Sequence, residues 1–163
     1  MLFRSTNNDY TIACHESIHV YQLGFLGTRM KDLPTWFAEG QANYLGYAFS
    51  NKYFDSALQR DNTLRDLLSR FPEIKTYSIS QWGQWLQKID GDYEYTFNNS
   101  LGYSIGELLL ENIYNNYGYL KVHQWLDAIR NGDTLKASFQ KVFGTDYDNW
   151  LQNTAADYLK SQF

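Results

Sequence analysis

Four residues near the start of the chain have the types and spacing to do chemistry together. His15-Glu16-Ser17-Ile18-His19 puts two of the three histidines four residues apart. On a helix that spacing advances about 6 Å along the axis and keeps both imidazoles on one face. Both rings can then reach a single ion at about 2.0–2.1 Å. Glu16 sits at the edge of the same face. It is poorly placed as a third ligand but can reach a water held by the metal, as the general base does in the H-E-x-x-H pattern. A catalytic zinc takes three protein ligands and keeps one position open. The segment Leu33-Pro34-Thr35-Trp36-Phe37-Ala38-Glu39-Gly40-Gln41-Ala42-Asn43-Tyr44-Leu45 offers the third in Glu39. A carboxylate in so apolar a turn is costly to bury unless it meets a cation. Gly40 costs helix stability and marks a place where something approaches closely. The competing reading is two surface histidines and an exposed glutamate on an amphipathic helix.

The elements that must position these residues read as helices. Asn8 or Asp9 is expected to cap a first helix that runs through Tyr21 and stops near Gly24. Pro34 suits the first turn of a second helix, Thr35 to about Phe49. A third spans Thr63 to Phe71 and is ended by Pro72. A weaker one covers Ser78 to Lys88, with Trp82, Trp85 and Leu86 on one side and the turn Asp90-Gly91-Asp92 after it. Ser100 is expected to cap a strong helix through Asn115, ended by Tyr117-Gly118. Leu120 to Arg130, Thr134 to Phe143 with Asp133 as cap, and Asp146 to about Lys160 complete the chain. Strand-like pieces are short: Leu2 to Arg4 and Lys75 to Ile79. The expected fold class is mainly α, with little or no β-sheet.

Composition narrows the function classes. The 163 residues form one expected domain, long enough for a real core. Hydrophobic residues make up 44% and charged residues 20%, which argues against disorder. The formal charge of -4 gives no electrostatic reason to expect nucleic acid. No apolar run approaches the length of a membrane span. The lone Cys14 excludes an intrachain disulfide and a Cys-based metal site, and reads as a small buried apolar residue. His123, far from the motif, reads as a solvated helix histidine. Asp90-Gly91-Asp92 lacks the carboxylates of a calcium loop.

His15-Glu16-Ser17-Ile18-His19 followed by Leu33-Pro34-Thr35-Trp36-Phe37-Ala38-Glu39-Gly40 resembles the gluzincin zinc metallopeptidases, and within them the peptidase MA-like domains related to the aminopeptidase and thermolysin groups. The resemblance implies a zincin-like helical domain with two motif helices and a C-terminal helical cap. It implies that His15, His19 and Glu39 bind Zn2+, that Glu16 is the base, and that the substrate is a peptide or protein. The stretch Tyr103-Ser104-Ile105-Gly106, then Leu108-Leu109-Leu110, then Tyr117-Gly118 is similar to the downstream helix of such domains. That likeness implies that Tyr103 stabilises the oxyanion, with Tyr93 and Tyr95 as rivals and simple packing as the alternative. An acidic residue often follows the glutamate ligand by four places and orients a histidine; this chain has Asn43 there. An amide still accepts the ring N–H but raises ligand basicity less. The family's β-sheet ahead of the motif helix is expected to be lacking. The family is often extracytoplasmic, although Met1-Leu2-Phe3-Arg4 and the residues after it form no signal-peptide core. The alternative function is a degenerate zinc-binding gluzincin fold acting as a peptide-binding or interaction module. A helical structural protein with an accidental motif is the third reading.

Overall fold

A computed structural model describes residues 7–50 and 56–163. The fold is mainly α, and no strand occurs among the described residues. The order is α1 (Asn7–Leu26), a 3-10 turn (Gly27–Asp32), α2 (Thr35–Ser50), α3 (Ser56–Arg70), a 3-10 turn (Pro72–Thr76), α4 (Ile79–Gly91), α5 (Tyr93–Asn98), α6 (Leu101–Arg130) and α7 (Leu135–Phe143). Then α8 (Tyr147–Asn149) passes through a π-helical turn (Trp150–Ala155) into α9 (Ala156–Lys160).

Several ends differ from the expected ones, each for a local reason. Helix α1 already includes Asn8 and Asp9 and runs past Gly24. Burying Leu26 offsets the cost of a helical glycine, and Gly27 at φ +56° ends the helix instead. Lys75 to Ile79 is not a strand. The Ser78 hydroxyl accepts from the Gln81 N–H while the Gln81 side chain accepts from the Ser78 N–H, a capping box that starts α4. The expected strand at Leu2 to Arg4 lies outside the described residues. Ser100 precedes α6 with φ +50° and makes no side-chain cap. Thr134, not Asp133, caps α7; Asp133 pairs with Lys141 at 2.9 Å instead. Gly118, at φ +76° and ψ 167°, bends α6 sharply where Tyr117-Gly118 was expected to end it. The third helix begins earlier than Thr63 and the second ends within one residue of expectation.

Helix α2 is the centre of the packing, held between α1 and α6. Trp36 and Phe37 on α2 and Leu101, Ile105 and Leu108 on α6 are fully buried. The two helices cross at Gly40 and Gly106. A Cβ on Gly106 would overlap the Trp36 carbonyl, and one on Gly40 would overlap the Gly106 backbone. This is the close approach that Gly40 implied. Gly46, also on α2, lets α1 in: a Cβ there would lie 3.1 Å from the His15 nitrogen. The C-terminal helices cover the opposite side through Trp125, Phe139 and Trp150, with ring centroids 5.0–5.1 Å apart. Trp82, Trp85 and Leu86 are core, as expected. Among the described residues, no helix is long and apolar enough to cross a membrane.

The crossing is testable. Gly106→Ala should destabilise the protein by about 1–3 kcal/mol in chemical denaturation, because backbone must move to admit the methyl group. Gly91→Ala, with open space around it, should be neutral or slightly stabilising.

Candidate metal centre

One face of α1 and one face of α2 meet to form the site. On α1, His15, His19 and Gln22 follow one another turn by turn; on α2, Glu39, Asn43 and Tyr47 do the same. The His15 and His19 Nε2 atoms lie 3.0 Å apart, and Glu39 Oε2 lies 3.3 Å from each. A tetrahedral ion with bonds of about 2.0–2.1 Å holds its ligand atoms roughly 3.3 Å from one another. The triangle has that size.

The hydrogen bonds around it say which nitrogens are bare. His15 Nδ1 faces Asn43 Oδ1 at 2.8 Å, and Asn43 Nδ2 donates to the Tyr103 carbonyl at 3.2 Å. His19 Nδ1 faces Gln22 Oε1 at 2.8 Å, and Gln22 Nε2 donates to the Ala38 carbonyl and to Gln41 Oε1. The backbone carbonyls fix which end of each amide is the NH2, so each Nδ1 meets an atom that can only accept. In the neutral form each imidazole therefore carries its proton on Nδ1, which turns both Nε2 lone pairs toward Glu39 and each other. Three electron-rich atoms at such distances repel unless positive charge lies among them. Titration agrees. Burial alone would lower the His15 imidazolium, but hydrogen bonds to Glu39 and Asn43 and the charges of Glu39 and Glu16 hold it above the ordinary value. Burial alone would raise Glu39, but His15 and His19 hold it below the usual carboxylate range. The residues fit a metal ion, and theirs is the one group of this kind found among the described residues.

Glu16 is exposed and lines an open cavity of about 280 Å³ with His15, Asn43, Tyr47 and Tyr103. The Tyr103 ring stacks on the His15 ring, centroids 5.7 Å apart. Burial, then the neighbouring Glu39 and Glu16 carboxylates, raise its phenol. The rivals lie elsewhere: Tyr95 accepts from the Trp85 indole and Tyr93 stacks on Phe97. His123 is exposed with its ring against Phe25, away from the triangle. Cys14 is half-buried rather than buried.

Sequence reasoning missed two participants. Gln22 holds His19 and continues through Gln41 to the Tyr114 hydroxyl. Tyr47 walls the cavity, and burial pushes its phenol up to about 12. Both carried a signal, since Gln22 lies one turn past His19 and Tyr47 one turn past Asn43. A second cavity of about 360 Å³ lies across the wall made by Asn43, Tyr47 and Tyr103. Its lining includes Glu107, 7% exposed, whose carboxylate accepts from the Thr63 hydroxyl at 3.2 Å. Burial pushes Glu107 up to about 7.

Comparison with protein-family models, with curated proteins and with solved structures found no match to this chain.

Two measurements check the centre. The protein should bind one equivalent of a divalent transition metal, by calorimetry or metal analysis, and His19→Ala should abolish tight binding. Asn43→Ala should weaken it by ~10–100-fold, because the His15 tautomer is no longer held. Glu107 sets a separate pH dependence. Its folded value is raised, so the folded state holds a proton that the unfolded state releases from about pH 4.5. That stabilisation is complete in acid and is lost as pH rises to about 7. Glu107→Gln should therefore gain stability relative to the parent chain between pH 5 and 8, by on the order of 3 kcal/mol at most in denaturant titrations.

Proposed function

We propose that this chain is a zinc-dependent peptidase of the gluzincin type, acting on peptide or protein substrates. The observation that carries the reading is the convergence of His15 Nε2, His19 Nε2 and Glu39 Oε2 beside an open cavity rimmed by Glu16 and Tyr103. Two imidazoles and a carboxylate are a donor set that zinc takes in hydrolytic centres. Zinc bound there supplies Lewis acidity, lowering the pKa of water and polarising a carbonyl.

The chain's own residues do the rest. Asn43 and Gln22 accept from the Nδ1 side of the two imidazoles and so turn the Nε2 lone pairs of the neutral rings inward. Glu16 takes the proton of the attacking water as its oxygen adds to the peptide carbonyl. Tyr103, its phenol raised by burial and by Glu39, stays protonated at neutral pH and donates to the oxyanion. Glu16 then passes its proton to the departing amine, and the C–N bond breaks.

A second reading draws on the two orienting groups, which are neutral amides where a carboxylate would make the imidazoles more basic. On it, the chain keeps zinc and binds peptides without cutting them.

The deciding variant is Glu16→Gln. It should keep zinc within a few-fold of the parent affinity while hydrolysis of casein or a peptide library falls by ~10²–10⁴-fold. Tyr103→Phe should cost ~10² in kcat with little change in KM. Full activity in the Glu16 variant would overturn the peptidase reading. A parent chain that holds zinc, binds peptides and cuts none would establish the second.

A further inference from the structure

The triangle's cavity is not the end of the cleft. Asn43, Tyr47 and Tyr103 form one wall shared by the cavity that holds His15 and Glu16 and by the larger one beyond it. A substrate chain laid across the centre would have this second cavity within reach of a side chain next to the bond to be cut. We propose that the larger cavity is a substrate subsite for a cationic side chain, lysine or arginine, flanking the scissile bond, with Glu107 as its counter-charge. The inference rests on the peptidase reading above.

Among the described residues, the charges around the cavity leave Glu107 as the unbalanced one. Asp66 and Arg70 both line it, but they neutralise each other: Arg70 Nε and Nη2 reach Asp66 Oδ2 at 2.9 and 2.5 Å. Arg70 Nη1 also donates to the Asn99 carbonyl. The other charges that act on Glu107 are Arg60 and Glu111, and those pair with one another at 3.0 Å. What remains is one buried carboxylate on α6, held by the Thr63 hydroxyl on α3.

A charged carboxylate in such a place is costly unless a cation meets it, and Glu107 lines a cavity from which one could do so. The volume, about 360 Å³, admits a long side chain. Gln59, Asn62 and Ser104 on the same lining supply polar partners for an ammonium or guanidinium. An acidic side chain would meet the Glu107 carboxylate there. A bound cation would draw the Glu107 carboxyl into its charged form and lower it from about 7.

The test uses the full zinc-loaded chain at pH 8, where Glu107 is ionised, with peptides varied at the two positions flanking the cleaved bond. Lysine or arginine at one of them should raise kcat/KM at least 10-fold over norleucine or glutamine. In Glu107→Gln that ratio should fall to within about twofold, and Glu107→Asp should restore part of it. Agmatine, a free guanidinium probe, should bind the parent chain at least 10-fold more tightly than the Gln variant in calorimetry. Its binding should weaken below about pH 7, whereas neutral 1-pentanol should not distinguish the two proteins. Cleavage with no basic preference, or agmatine binding equal in both proteins, overturns this inference and leaves the peptidase reading standing. If no peptide is cut, the peptidase reading fails and the subsite's role in cleavage falls with it. The agmatine titration then decides the cation site alone.

Discussion

The protein is organised around a repulsion. Two imidazole nitrogens and a carboxylate oxygen, all presenting lone pairs, stand 3.0–3.3 Å apart. Left to themselves such groups turn toward water. The close approach of α1, α2 and α6 brings them together. Gly46 admits the His15 turn of α1, and the Gly40–Gly106 crossing seats α6 against the other side of α2. Glu39 stands one residue before Gly40, so the contact that sets the helix separation also sets the ligand. Packing at a distance from these atoms offsets the penalty of assembling them, and a cation held at the centre would remove it.

The orientation of the rings depends on a second layer with no net charge. Asn43 and Gln22 are each pinned by a backbone carbonyl, and each then accepts from a histidine Nδ1. Neutral amides fix the tautomer as firmly as carboxylates do, while leaving the imidazoles less basic. The branch through Gln41 to Tyr114 ties His19 to α6, so the same helix that walls the site also steadies one of its ligands. Tyr103, stacked on His15, is reached through Asn43 as well. The site behaves as one hydrogen-bonded unit spread over three helices.

Much of this was legible in the residues. The mainly α class, the spacing of His15 and His19, the place of Glu39 and the meaning of Gly40 follow from helix periodicity and from the cost of a buried carboxylate or a helical glycine. Tyr103 was a weaker inference among many tyrosines, and only the meeting of α6 with α1 brings it to His15. Helix ends were less legible. Gly24 looked like a stop, yet the burial of Leu26 carried α1 onward. Lys75 to Ile79 looked extended, yet Ser78 and Gln81 satisfied each other's backbone and began a helix.

The sequence by itself determined which side chains share a face of one helix, because 3.6 residues per turn allows no other outcome. That is why the histidine pair, and Glu39 with Asn43, could be read directly. Which faces meet was decided only by the tertiary structure. The angle and register between helices depend on where backbones touch, and those contacts join residues far apart in the chain, as Gly40 joins Gly106. The same holds for Glu107, whose burial comes from α3 and α6 closing around it, while the charges near it among the described residues pair with one another.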